Sequence, residues 1–224
     1  MKMDPKENLL NIDLDRDELS AKFGGGIPKS SIILVEGEDG SGKSILAQRL
    51  TYGLLANDHT VSYISTELTT TGFVQQMASV DYVVKEHMLE DKMLFLSIFP
   101  YLGDPKLCKN LMNRLLATKK IFDHDVIIFD TLSFLMIQDK VSHEGMFATI
   151  KMLKKIASLG NTLVFCVDAN HINPTFLTLL RSVSEVYLTL EIKSVLGNLL
   201  RVLNVKRFKM SLEEVTPLVP FKVE

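Results

Sequence analysis

Eight residues restrict this chain more than any other feature. Gly37-Glu38-Asp39-Gly40-Ser41-Gly42-Lys43-Ser44 fits G-x-x-x-x-G-K-[ST]. It stands between the apolar run 31–36 (SIILVE) and a helix-like stretch from Ser44 to about Ala56. A strand, a glycine-rich turn and a helix start, in that order, form the context in which such a turn wraps phosphate. Gly37, Gly40 and Gly42 let the main chain turn tightly and aim successive N–H groups inward, with Asp39 and Ser41 carried inside the same loop. The helix that follows presents the positive end of its dipole to the same point. Lys43 is expected to reach the β- and γ-phosphates of a nucleotide, and the Ser44 hydroxyl to coordinate Mg2+. A glycine turn that merely caps a helix is the alternative.

Along the rest of the chain, strand and helix signals alternate. Runs 60–66, 93–99, 126–129 and 162–167 read as strands, rich in β-branched and aromatic residues. Segment 104–118 reads as a helix. Segment 142–159 has the strongest helical period, with Met146, Ile150, Leu153 and Ala157 on one stripe and Lys151, Lys154 and Lys155 turned away. Ser142 is expected to cap its start and Gly160 its end. Alternating β and α with fully apolar strands predicts an α/β fold with a mainly parallel central sheet flanked by helices. Two strand-like stretches at 184–191 and 199–208, separated by Leu196-Gly197-Asn198, predict a C-terminal β-hairpin. With no repeat and no long linker, residues 1–224 are expected to form a single domain.

Acids at strand ends are the next candidates. Asp130 closes the run 126–129, where a carboxylate can hold the Mg2+ shell through water or through Ser44. Glu67 closes the strand around Tyr63, where a carboxylate can polarise the water that attacks a γ-phosphate; a solvated strand-end acid is the other reading. Asn170 and His171 follow another strand and are read either as γ-phosphate sensors or as a polar turn. His171 is not a metal candidate, because no second ligand lies at metal spacing in the sequence. Arg207 and Lys209 alternate on a late strand and so share a face, which on local grounds reads as a solvated basic strand face.

Composition excludes other classes. Lys plus Arg number 25 against 27 Asp plus Glu, a net charge of −2, so the footprint of a phosphate-backbone binder is missing. No apolar run approaches the ~18 residues a membrane helix needs, and residues 1–7 have no secretory character. Cys108 and Cys166 are far apart, which predicts free thiols and a reducing cytoplasm.

The stretch Phe23-Gly24-Gly25-Gly26-Ile27-Pro28-Lys29-Ser30, followed by the phosphate loop, closely resembles the opening of the KaiC-like ATPases of the RecA superfamily. Asp130-Thr131-Leu132-Ser133 is similar to that family's Walker B segment, and residues 201–209 (RVLNVKRFK) to its late basic strand. Tyr63-Ile64-Ser65-Thr66-Glu67 resembles the strand that ends in the catalytic glutamate of archaeal recombinases, whereas KaiC usually carries two adjacent acids there. Within the superfamily, Ser65-Thr66-Glu67-Leu68-Thr69-Thr70, Phe73-Val74-Gln75-Gln76-Met77 and the ending 219–223 are similar to the archaellum accessory ATP-binding proteins. The resemblance implies a RecA-like P-loop fold binding ATP and Mg2+. It also implies a homo-oligomeric ring, a hexamer, beneath the cytoplasmic membrane, docked on the motor ATPase FlaI and on a membrane-linked scaffold such as FlaX. Arg207 and Lys209 would then reach the nucleotide of the neighbouring subunit, and hydrolysis would be slow or absent. An active Mg-dependent ATPase using Glu67 is the alternative reading, and a recombinase-like DNA-binding ATPase a more distant one.

Overall fold

The computed structural model describes residues 5–101, 111–133, 135, 143–195 and 198–221. Its strands are β1 (Leu9–Leu10), β2 (Ile27–Pro28), β3 (Ile32–Gly37), β4 (Val61–Ser65), β5 (Met93–Ser97), β6 (Val126–Asp130), β7 (Thr162–Val167), β8 (Val186–Val195), β9 (Asn198–Phe208) and β10 (Leu218–Phe221). The helices are α1 (Leu19–Lys22), α2 (Lys43–Ala56), α3 (Thr70–Ser79), α4 (Lys85–Leu89), α5 (Leu111–Ala117), α6 (His143–Ser158) and α7 (Pro174–Val183). Among the described residues an eight-stranded sheet runs β10-β9-β8-β3-β7-β6-β4-β5. The six strands from β5 to β8 are parallel, and β9 and β10 continue the sheet antiparallel.

Strand alternation sends side chains to two cores. Ile33, Val35, Tyr63, Ile128 and Cys166 face α2 and α3, meeting Leu50, Leu54, Phe73 and Met77. Ile32, Leu34, Phe129 and Phe165 face the other way, onto Leu153 of α6 and Phe176 of α7. Every residue of β6 and β7 is buried, so their unbroken apolar runs reflect cover on both faces. Burying a Phe or Leu side chain contributes about 1.5–3 kcal/mol, so these two layers dominate the fold's stability.

The expected stripe on α6 is buried as read, with Met146, Ile150, Leu153 and Ala157 inward, while Lys154 reaches Glu185 at 2.6 Å. Of the expected helix 104–118, α5 is the described part; residues 102–110, Cys108, the Ser142 cap and the turn residues Leu196 and Gly197 lie outside the described residues. The expected strand 93–99 stops at Ser97, because Phe99–Tyr101 winds into a short 3-10 turn around Pro100. Cys166 is a free, buried thiol. No described helix is long and apolar enough to cross a membrane.

The segment before β3 is held against the rest of the fold. Gly26 has φ +144°, and a Cβ there would stand 2.4 Å from the Leu10 carbonyl, so only glycine lets β1 approach β2. Arg49 on α2 donates to the Ile12 carbonyl and, through Nε and Nη2, to Asp17 at 2.8 and 2.6 Å. The sheet's outer strand β10, Leu218–Phe221 among the described residues, contains Pro220.

Candidate functional site

The loop between β3 and α2 leaves the carboxyl end of a central strand, the edge of an open α/β sheet where ligands characteristically bind. Gly42 is the N-cap of α2 with φ +102°, and a Cβ there would stand 3.0 Å from the Phe221 ring. Glycine therefore serves two requirements, a left-handed main chain and close contact with β10. Lys43, itself buried, folds back so that Nζ donates to the carbonyls of Gly37 and Glu38, both at 2.8 Å. The ammonium is thus parked on the loop it belongs to.

Ser44 Oγ donates to Asp130 Oδ1 at 3.1 Å, joining the first turn of α2 to the end of β6. The Tyr63 hydroxyl donates to Asp130 Oδ2 at 2.6 Å. Burial pushes the Asp130 carboxyl above the usual range, and the hydrogen bonds from Tyr63 and Ser44, with the Lys43 charge, pull it partly back. Burial, reinforced by the neighbouring Asp130 charge, also drives Tyr63 well above its usual range, so its hydroxyl keeps its proton and remains a donor.

A cavity of about 280 Å³ opens over the loop, bordered by Gly40, Lys43, Ser44, Glu67, Gln76 and Arg201. Glu67 sits on the turn after β4, where Ser65 Oγ accepts the N–H groups of Glu67 and Leu68 at 3.3 and 3.0 Å. Partial burial raises its carboxyl above the usual range, and the Asp130 and Asp39 charges add to this against Lys43. Ser41, 1% exposed, has no hydrogen-bond partner for its hydroxyl among the described residues. A lysine held only by loop carbonyls, an orphaned loop hydroxyl and a Ser44–Asp130 pair of hard oxygens suit a phosphate chain with a divalent cation.

The family of KaiC ATPases matches residues 16–218. The archaeal flagellar ATP-binding protein FlaH of Methanococcus voltae is 35% identical over 213 residues, 95% of this chain and 92% of the relative. The chain belongs to the FlaH family of KaiC-like ATPases. FlaH of Methanocaldococcus jannaschii is 32% identical over 216 residues, 96% of this chain and 92% of that protein. The crystal structure of the flagellar accessory protein FlaH from M. jannaschii superposes with a TM-score of 0.91, covering 96% of this chain and 95% of that one. The RecA-like fold and the antiparallel C-terminal strands are therefore those of the FlaH family.

Within this FlaH-family fold the other sequence candidates separate. Arg207 lies near the end of β9 opposite Tyr187 at the start of β8, and Lys209 follows just after the strand, whereas Arg201 lies opposite Ile192, past the loop end of β3. Six residue steps along the strand separate Arg201 from Arg207, about 20 Å. Arg207 Nη1 donates to the carbonyls of Arg181 and Ser184 at 2.7 and 3.0 Å, and Lys209 is exposed. Neither borders the chain's own cavity. Arg201 does, with Nε donating to the Gly40 carbonyl at 3.2 Å, and sequence reading passed it over. Asn170 borders a second cavity, about 430 Å³, on the far side of the loop with Glu38, Ser41 and Thr189. His171, set aside on sequence spacing, lies with Asp39 and Asp168 so that their ligand atoms are within 4.8 Å of one another. That proximity joins two separate loops and has no counterpart in local spacing.

Proposed function

We propose that this chain is an ATP-binding accessory subunit of the archaellum motor, assembling in response to nucleotide and turning over slowly or not at all. The observation that carries this reading is the Ser44–Asp130 pair beside Lys43, in a chain of the FlaH family. On this reading Lys43 releases the Gly37 and Glu38 carbonyls and moves its ammonium to the β- and γ-phosphates. The main-chain N–H groups from Gly37 through Ser44, including those of Asp39, Gly40, Ser41 and Gly42, line the phosphates. Ser44 and Asp130 hold Mg2+, partly through water. When bound, the ion neutralises charge on the phosphate oxygens.

Arg207 and Lys209, lying far from their own cavity, are assigned to the nucleotide of a neighbouring subunit in a homohexameric ring. FlaI and a membrane-linked scaffold such as FlaX are the proposed partners, with no nucleic acid involved. Nucleotide drives assembly if it binds the assembled state more tightly than the free one. Mass measurement in solution with and without ATP·Mg2+, with phosphate release followed on the same sample, tests both parts. A ring that forms with ATP while little phosphate appears is the expected result; a mass indifferent to nucleotide overturns the coupling.

A second reading, an active ATPase, is favoured by one observation: Glu67 borders the cavity over the phosphate loop, with its carboxyl raised above the usual range chiefly by burial, the direction that suits a general base. Under it, Glu67→Gln lowers phosphate release by about 100-fold or more and leaves ATP affinity nearly unchanged. Unaltered turnover in that variant removes Glu67 from the chemistry.

A further inference from the structure

Asp130 is 4% exposed, and each of its carboxylate oxygens has its own hydroxyl donor. Ser44 comes from the phosphate loop. Tyr63 comes from the neighbouring strand β4, outside both the phosphate loop and the segment that Asp130 opens. In the β4–β6 register Tyr63 stands opposite Ile128 and Ser65 opposite Asp130, so Tyr63 is one diagonal step from the acid on the same face of the sheet. The Tyr63 side chain is wholly buried. Its ring packs on Phe73 at 4.8 Å and Phe95 at 5.9 Å, and those two rings stack at 4.3 Å. The three rings fix where the hydroxyl can be, and it meets Oδ2.

We propose that Tyr63 is a positioning residue for the divalent cation of this site, its hydroxyl pinning Asp130 Oδ2 so that Oδ1 and Ser44 Oγ present a preset pair of oxygens. The proposal rests on the reading that Ser44 and Asp130 hold Mg2+. Rotation about the last torsion of an aspartate is soft, with broad minima rather than staggered wells. Without the phenol, Oδ2 loses its hydroxyl donor, the Cys166 thiol beside Asp130 is only a weak substitute, and the carboxylate turns to find a better partner. Oδ1 then leaves its alignment with Ser44. Partners that orient metal ligands in this way characteristically change metal affinity by about 10- to 100-fold when removed. Phenylalanine keeps the ring and its contacts with Phe73 and Phe95, so the change isolates one hydroxyl.

The test compares ATP affinity by calorimetry in excess MgCl2 and in EDTA, for the unmodified chain, Tyr63→Phe, Asp130→Asn and the double variant. The quantity read is the Mg2+-dependent gain, a ratio within each protein, so a lower folded fraction cancels. Tyr63→Phe is expected to lose about 10-fold or more of that gain while its affinity in EDTA stays within about twofold. In the Asp130→Asn background the same change should be silent. A Tyr63→Phe variant with the full gain, or one weakened equally in both buffers, overturns the positioning role. A gain that survives Asp130→Asn instead removes the underlying assignment of the cation to Asp130.

Discussion

Lys43→Ala is expected to weaken ATP binding by roughly 100- to 1000-fold, the loss of about two charge-assisted hydrogen bonds. The variant should still fold. The Lys43 ammonium bonds only to the Gly37 and Glu38 carbonyls, in a loop that water reaches on its outer side. The apolar contacts of α2, through Leu46, Leu50 and Leu54, are untouched. Calorimetry with ATP·Mg2+ measures the affinity, and the solution mass with the same nucleotide measures assembly. Both responses should disappear together. A variant that binds as before places the phosphates elsewhere, and one that fails to bind yet still assembles separates ring formation from nucleotide.

The second large effect is on stability. Breaking a fully buried ion pair by removing one partner costs about 3–5 kcal/mol. Asp17 keeps 33% of its side chain exposed while Arg49 keeps 8%, so screening lowers the figure, and Arg49→Met should destabilise by about 2–3 kcal/mol. The effect carries a pH signature. Burial raises the Asp17 carboxyl, but the hydrogen bonds from Arg49 and from the Leu19 N–H, together with the Arg49 and Arg16 charges, outweigh it, and the net shift is downward. A carboxyl lowered in the folded state adds stability above its unfolded value, near 4, and that stability is lost as pH falls through the folded value. The gap between the unmodified chain and Arg49→Met should therefore be full at neutral pH and shrink below about pH 4. Urea midpoints across that range measure it; a gap independent of pH means that Arg49 acts through the Ile12 carbonyl and packing alone.

What could be read from sequence was what is local. The phosphate loop is eight consecutive residues whose flanking strand and helix declare themselves, and Asp130 follows directly from the apolar run it ends. The α6 stripe was legible because a buried helix repeats its contacts every three to four residues. Tyr63 and Arg201 were not legible as parts of the site, because only strand register brings them there. β1 is too short to show a period, and Pro220 argues against a strand until its neighbour β9 is known. Arg201 was nevertheless within reach of simple arithmetic. Six extended residue steps put Arg201 and Arg207 at opposite ends of a sheet, so one basic strand could never serve a single cavity with both.

The outer strand with Pro220 bears on how copies of this chain meet. A sheet edge recruits another chain by offering a ladder of free N–H and C=O groups, and within the described part of β10, Leu218–Phe221, Pro220 has no N–H to give. Continuation of the sheet from one molecule to the next is discouraged on that side. Contacts there must instead be made by side chains, whose charges and shapes can change with what is bound. An association built in that way can open again, which an extended β-ladder resists.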